Sequence, residues 1–220
     1  MSNRIKKFGI ALLAVPAFQL IAYLTLPAHA GEKIFSAADN NLILTSSALV
    51  LLMTPGLAFF YGGFTQAKNV LNTMTMSFVM MGIATIVWLI FGFSLSFSDG
   101  GSLNAFIGNP FTYSFFENIP EIWDGLAIPG LSFALFQGMF AIITPALISG
   151  ALVERISFRF WCFFTPIWLL IVYAPLAHMV WGGGLLGKDL DFAGGTVVHI
   201  SSGVSALVLA SLIGSRSNHP

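Results

Sequence analysis

Charge is what this sequence has least of. Only 8% of its 220 residues are Asp, Glu, Lys or Arg, and nine basic residues balance nine acidic ones to a formal charge of zero. With no cluster of Lys or Arg, a nucleic-acid face and a polybasic lipid tether are both excluded. Cysteine is nearly absent as well. Cys162 stands alone, so no internal disulfide can form and cysteine usage says nothing about compartment. Glycine pairs and triplets occur at 182–184 and 194–195, but they follow no strand and precede no Lys-Ser/Thr, which excludes a phosphate-binding loop. No internal repeat and no low-complexity segment is visible.

What fills the chain instead is apolar. Hydrophobic residues make up 56% and the mean hydropathy is +0.86, more than a soluble domain can hide. The fold class is all-α, a polytopic transmembrane helix bundle. Five uncharged runs, at about 41–63, 70–98, 127–151, 160–182 and 193–214, each clear the ~20 residues needed to cross a bilayer. Lys68, Arg155 with Arg159, and Arg216 fall on one side of these runs. Asp99, Glu117, Glu121 and Asp124, then Lys188, Asp189 and Asp191, fall on the other. The Lys/Arg bias puts the first side in the cytoplasm, with the mature N-terminus outside and the C-terminus inside. Ahead of the first run, Arg4, Lys6 and Lys7 precede an apolar stretch from Phe8 to Leu26 and then Ala28-His29-Ala30. That is the pattern of a cleaved secretory signal over residues 1–30, and it suits a bacterial inner membrane. An uncleaved extra helix is the competing reading.

Within the runs, Asp39-Asn40 reads as the cap of the first helix, which Pro55-Gly56 should kink. Tyr61 reads as an interfacial anchor in preference to a pore residue. The second run has no polar centre and reads as scaffold. The 99–126 loop reads as an ordered acidic cap. In the third run Phe133, Phe136, Gln137 and Phe140 stand at i, i+3, i+4 and i+7 and share a face. Such a stripe is ordinarily core, yet Trp181 followed by Gly182-Gly183-Gly184 leaves an indole room to lie over an opening. Exposed aromatic faces attract small cations by ~0.5–1 kcal/mol. His178, near the outer interface, reads as structural and satisfied by water.

The fifth run is led by Asp191, placed to cap it by accepting the N–H of Ala193 or Gly194. Its one titratable side chain is His199, ~12 Å deeper at 1.5 Å per residue. An ionisable ring at that depth is either a polar bridge between helices or a functional site. No residue set suggests a metal or another cofactor.

Ala-His-Met-Val-Trp-Gly-Gly-Gly at 177–184 and Leu-Asp-Phe-Ala-Gly-Gly-Thr-Val-Val-His at 190–199 resemble the signature of the ammonium transporter and Rhesus glycoprotein family. Upstream, Phe60-Tyr61-Gly62-Gly63, Lys68-Asn69-Val70, Phe136-Gln137-Gly138 with Phe140, and Gly150 to Arg155 follow in the family's order. The resemblance covers roughly residues 38 to 216. It implies the first inverted five-helix repeat of an eleven-helix fold, residues 31–220 being the N-terminal half of the transporter domain. It also implies transmembrane passage of ammonium or ammonia without enzymatic chemistry. Phe136 and Trp181 would form the outer ammonium site, Phe140 would close the pore mouth, Asp191 would support the site through the backbone, and His199 would be the first of two pore histidines. The partner histidine would come from a second repeat, for His219 lies beyond Arg216 on the cytoplasmic side. A homotrimer and a cytoplasmic nitrogen-signalling regulator are the implied protein partners.

Two other function classes compete. An intramembrane hydrolase would use His199 with Ser202 at i, i+3, but no Gly-x-Ser-x-Gly setting supports it. A sensor would bind ammonium without conducting it.

Overall fold

The computed structural model describes residues 35–187 and 191–216. The signal-like segment 1–30, Lys188 and His219 lie outside these. Among the described residues there is no strand beyond one isolated bridge between Ile122 and Pro129, and five helices are long and apolar enough to cross a membrane. They are α1 (Ala37–Gly62), α2 (Ala67–Phe97), α3 (Gly130–Leu152), α4 (Phe158–Trp181) and α5 (Gly195–Ile213).

Helix ends follow local chemistry more closely than they follow the limits of the uncharged runs. Ser36, not Asp39 or Asn40, caps α1. Its hydroxyl accepts from the Asp39 N–H at 3.2 Å, which leaves the Asp39 carboxylate in the first turn, facing the positive helix end. Ser157 does the same for α4, accepting from the Phe160 N–H at 3.2 Å and drawing Arg159 into the helix. Each of α2, α4 and α5 contains a π turn, at Trp88–Gly92, Leu169–Tyr173 and Gly195–Ile200. A π turn inserts a residue and rotates everything beyond it, so it re-aims the end of a helix without breaking it.

The centre of the bundle is α3. It packs on α1, α2 and α5, while the far end of α2 packs on the far end of α4. With no water in a bilayer interior, polar groups must find partners inside the protein. Buried hydroxyls accordingly return to their own helix: Ser47 to Ile43 O, Ser96 to Gly92 O and Thr165 to Trp161 O. Four indole N–H groups instead cross between segments. Trp88 donates to Ala134 O, Trp161 to Met76 O, Trp168 to Ser205 Oγ and Trp181 to Asp191 O, all at 2.8–3.1 Å. The second run is thus scaffold, but not without polar anchors, since Ser77 Oγ also meets Ser149 Oγ at 3.4 Å.

One end of the bundle carries the 99–126 segment. It is ordered by Ser94 and Ser98, whose hydroxyls both donate to Asn109 O, and by a cluster of rings under it. Phe93, fully buried, lies 5.4–5.8 Å from the rings of Trp88, Phe97, Tyr113, Phe116 and Trp123. Pairs of this kind contribute about 0.5–1.5 kcal/mol each beyond the area they bury.

The opposite end is tied by Glu154. Its Oε1 accepts from the Gln66 N–H at 2.8 Å and the Asn69 side-chain amide at 3.0 Å, and its Oε2 lies 3.6 Å from Arg216. Arg155 donates to Gly214 O. The α1–α2 turn, the α3–α4 turn and the end of α5 are therefore joined at one carboxylate. The Asn69 amide first, then the Gln66 N–H, with the Arg216 and Lys68 charges behind them, hold Glu154 below the usual carboxylate range.

Candidate functional site

The stripe expected on α3 divides. Phe133 turns into the buried ring cluster, stacked on Trp123 with centroids 4.5 Å apart and planes 19° from parallel. Phe136 and Phe140 turn elsewhere. They meet edge to face at 5.1 Å, and Phe140 meets Trp181, at the end of α4, at 6.2 Å and 61°. All three rings are half-buried. A line of aromatic faces with one side open can hold a small cation. Gln137, between the two phenylalanines, keeps its Oε1 buried with no partner among the described residues.

Trp181 is held from two directions. Its indole N–H donates to Asp191 O at 3.1 Å, and its ring reaches over Gly194, where an added Cβ would stand 3.8 Å from the outermost ring carbon. Gly194 has φ +77°, a left-handed conformation that a side chain rarely adopts. That residue turns the chain sharply, so α5 starts later than the apolar run does. Asp191 consequently caps deeper than expected: its carboxylate accepts from Gly195 at 2.7 Å, Thr196 at 2.8 Å and Val197 at 3.0 Å, not from Ala193 or Gly194. Three N–H groups on one carboxylate satisfy most of the free donors of the helix start. The carboxylate is fully engaged there, and its backbone carbonyl is what touches Trp181.

His199 follows in the π turn of α5. Val197 and Val198 before it are buried, while its own ring is exposed. Ser202 does not face that ring: its hydroxyl donates to Val198 O at 2.6 Å and lies 3.3 Å from His199 O. The hydrolase pairing therefore has no geometric support. The structure joins Phe136, Phe140, Trp181 and Asp191 through direct contacts and sets His199 in the opening turn of the helix that Asp191 caps.

Three residues behave differently from expectation. Tyr61 is no free interfacial anchor, for its hydroxyl donates to Leu147 O on α3 at 3.0 Å. Its ring fills the place a side chain at Gly150 would need, 2.3 Å from an added Cβ. His178 is fully buried, its Nδ1 3.1 Å from Ser96 O and its Nε2 2.8 Å from Asn104 O. Backbone, not water, satisfies it. Glu154 was read from the sequence only as part of the Gly150 to Arg155 block, with no role of its own. Its signal was available, as the one acid within the basic end of the molecule.

The Ammonium Transporter Family model matches residues 41–220. An ammonium transporter of Aquifex aeolicus is 45% identical over 194 residues, which are 87% of this chain and 45% of that protein. The crystal structure of Saccharomyces cerevisiae Mep2 superposes with a TM-score of 0.75 at 34% identity, covering 84% of this chain and 43% of that one. A structure described as a sensor Amt protein superposes at 0.71 with 28% identity, over 80% of this chain and 44% of that one. The chain spans about half the length of the relatives it matches.

Proposed function

Because the chain belongs to the Ammonium Transporter Family, we propose that it forms one wall of a route for ammonium or ammonia across a membrane. Ammonium is taken at Phe136, Phe140 and Trp181 and passes beside His199. The observation that carries this reading is the line of three half-buried rings that joins Trp181 at the end of α4 to Phe140 and Phe136 on α3. Moving an ammonium-sized ion whole into a low dielectric costs of order 20 kcal/mol by an idealised Born estimate. Ammonium that hands its proton to water at the outer mouth enters as neutral ammonia and is spared that cost, and a neutral imidazole, with one donor and one acceptor, can hold ammonia without a fixed charge. Asp191 supports the site by capping α5 and by holding the Trp181 indole through its carbonyl.

The same reading assigns the Glu154 end to the cytoplasm of a bacterial inner membrane, as the grouping of Lys68, Arg155 and Arg216 supports. It includes removal of residues 1–30, a homotrimer and a cytoplasmic nitrogen-signalling regulator. The exposed ring of His199 is covered by a second repeat of inverted orientation. A second reading, an ammonium sensor that does not conduct, is favoured only by the likeness to the sensor Amt structure.

The test is uptake of radiolabelled methylammonium by cells lacking their own transporters. The chain alone is expected to insert without supporting uptake, a second five-helix repeat supplied as a separate chain restores it, and His199→Ala abolishes it again. Robust uptake by the 220-residue chain alone, or by the His199→Ala pair, overturns the proposal. Saturable binding without uptake in the paired chains selects the sensor.

A further inference from the structure

The three rings account for attraction but not for selection. An aromatic face draws in any small cation through its quadrupole, so Phe136, Phe140 and Trp181 alone do not tell ammonium from an ion of equal charge that carries no N–H. What sets ammonium apart is its hydrogen atoms. A group that recognises them must be an acceptor whose lone pairs are still free.

Such a group stands on α3 between the two phenylalanines. Gln137 is half-buried, and its Oε1 is buried with no partner among the described residues. An acceptor left in that condition forfeits its hydration and gains nothing for it, which the buried hydroxyls of the same helix avoid: Thr144 donates to Phe140 O and Ser149 to Ala146 O. The neighbouring indoles are already committed. Trp88 gives its N–H to Ala134 O, three residues before Gln137, and Trp181 gives its own to Asp191 O. Gln137 in turn stands three residues before Phe140, so the two side chains leave the same side of α3, and Phe140 is the ring that meets Trp181 at 6.2 Å. The unmet acceptor and the ring line thus share one turn of one helix.

We infer that Gln137 is a further substrate-binding and specificity-determining residue: its Oε1 accepts an N–H of an ammonium ion held against Phe136, Phe140 and Trp181, and so favours cations that carry N–H over those that carry none. This rests on the ammonium reading above, which supplies the ring site. The division of labour is chemical. The rings attract the charge, and the amide selects for the hydrogen.

Ammonium and tetramethylammonium separate the two contributions, since each carries one positive charge and only the first has N–H groups. The full chain in lipid nanodiscs is titrated with each while tryptophan emission is followed, the Trp181 response being assigned as the change lost in Trp181→Leu. Gln137→Leu keeps the bulk and removes the acceptor. The variant is expected to raise the dissociation constant for ammonium about tenfold, as loss of one hydrogen bond to a charged group would, and to hold that for tetramethylammonium within about twofold. Equal weakening of both ligands makes Gln137 a support for the rings and nothing more, and weakening of neither means that Oε1 does not reach the ion. Either result overturns the proposal and leaves the ring site standing. A wild-type chain whose Trp181 emission does not respond to ammonium overturns the ammonium reading itself, and the proposal falls with it.

Discussion

Two groups of rings lie within one turn of each other on α3 and have opposite characters. Phe133 joins Trp88, Phe93, Phe97 and Trp123 in a closed cluster whose members cover one another's faces. Phe136 and Phe140 join Trp181 in a line that keeps its faces half open. Phe133, Phe136 and Phe140 belong to one series at i, i+3 and i+7, which the two groups divide between them. What separates them is what stands opposite: rings of the 99–126 segment close over the first group, and the side-chain-free Gly194 lies beside Trp181 in the second. The lesson is that an aromatic stripe becomes core or site through its neighbours, not through its period.

The comparison breaks most visibly at its buried side. Phe93→Ala removes a ring packed against six others and is expected to destabilise the bundle by about 3–5 kcal/mol, read as a lower unfolding midpoint in detergent or as loss of protein from the membrane. A change under about 1 kcal/mol would mean that the cluster is less closed than its ring distances indicate. On the open side, Trp181→Leu keeps apolar bulk and loses most of the cation–π attraction, about 1–2 kcal/mol at a partly desolvated site. Half-saturation for methylammonium in the paired chains should rise about 5- to 30-fold with the unfolding midpoint little moved. Phe133→Leu sharpens the contrast from the other direction. It forfeits a stacking worth about 0.5–1.5 kcal/mol and should leave half-saturation unchanged.

The smallest effect is expected far from both groups. Glu154 is held below the usual carboxylate range by Asn69 and Gln66. A depressed carboxylate contributes its stabilisation above the unfolded value and loses it as pH falls through the folded one. Amide exchange at Gln66 should therefore quicken only on acidification below the ordinary Glu range, and Glu154→Gln should remove that pH dependence. Exchange at Leu185, whose N–H donates to Ala105 O at the other end, should not respond to this change. Coupling between the two ends would contradict the view that each is fastened separately.

Much of this was legible in the sequence because membranes constrain backbone more tightly than water does. The five spans follow from where charges are absent, and Trp181, Asp191 and His199 follow from two uninterrupted motifs. Helix starts were less legible. Asp191 reaches Gly195 to Val197 because the left-handed Gly194 delays α5, a backbone choice that no pattern of apolar residues encodes. That His178 is structural was legible, but what holds it was not. Its partners lie 82 and 74 residues away and are carbonyls, which every residue has. The same holds for Phe133, whose spacing placed it with Phe136 until Trp123 claimed it.

The four indoles that donate across segments also make this molecule its own optical instrument. Each ring is pinned at its nitrogen by an oxygen of another segment, so it cannot wobble independently of the helices it joins. Time-resolved anisotropy of the native tryptophan emission should then show almost no sub-nanosecond depolarisation, and the decay should follow the tumbling of the whole particle. Any ligand or partner that slides one helix against another must turn an indole with it, changing the polarised emission without an attached dye.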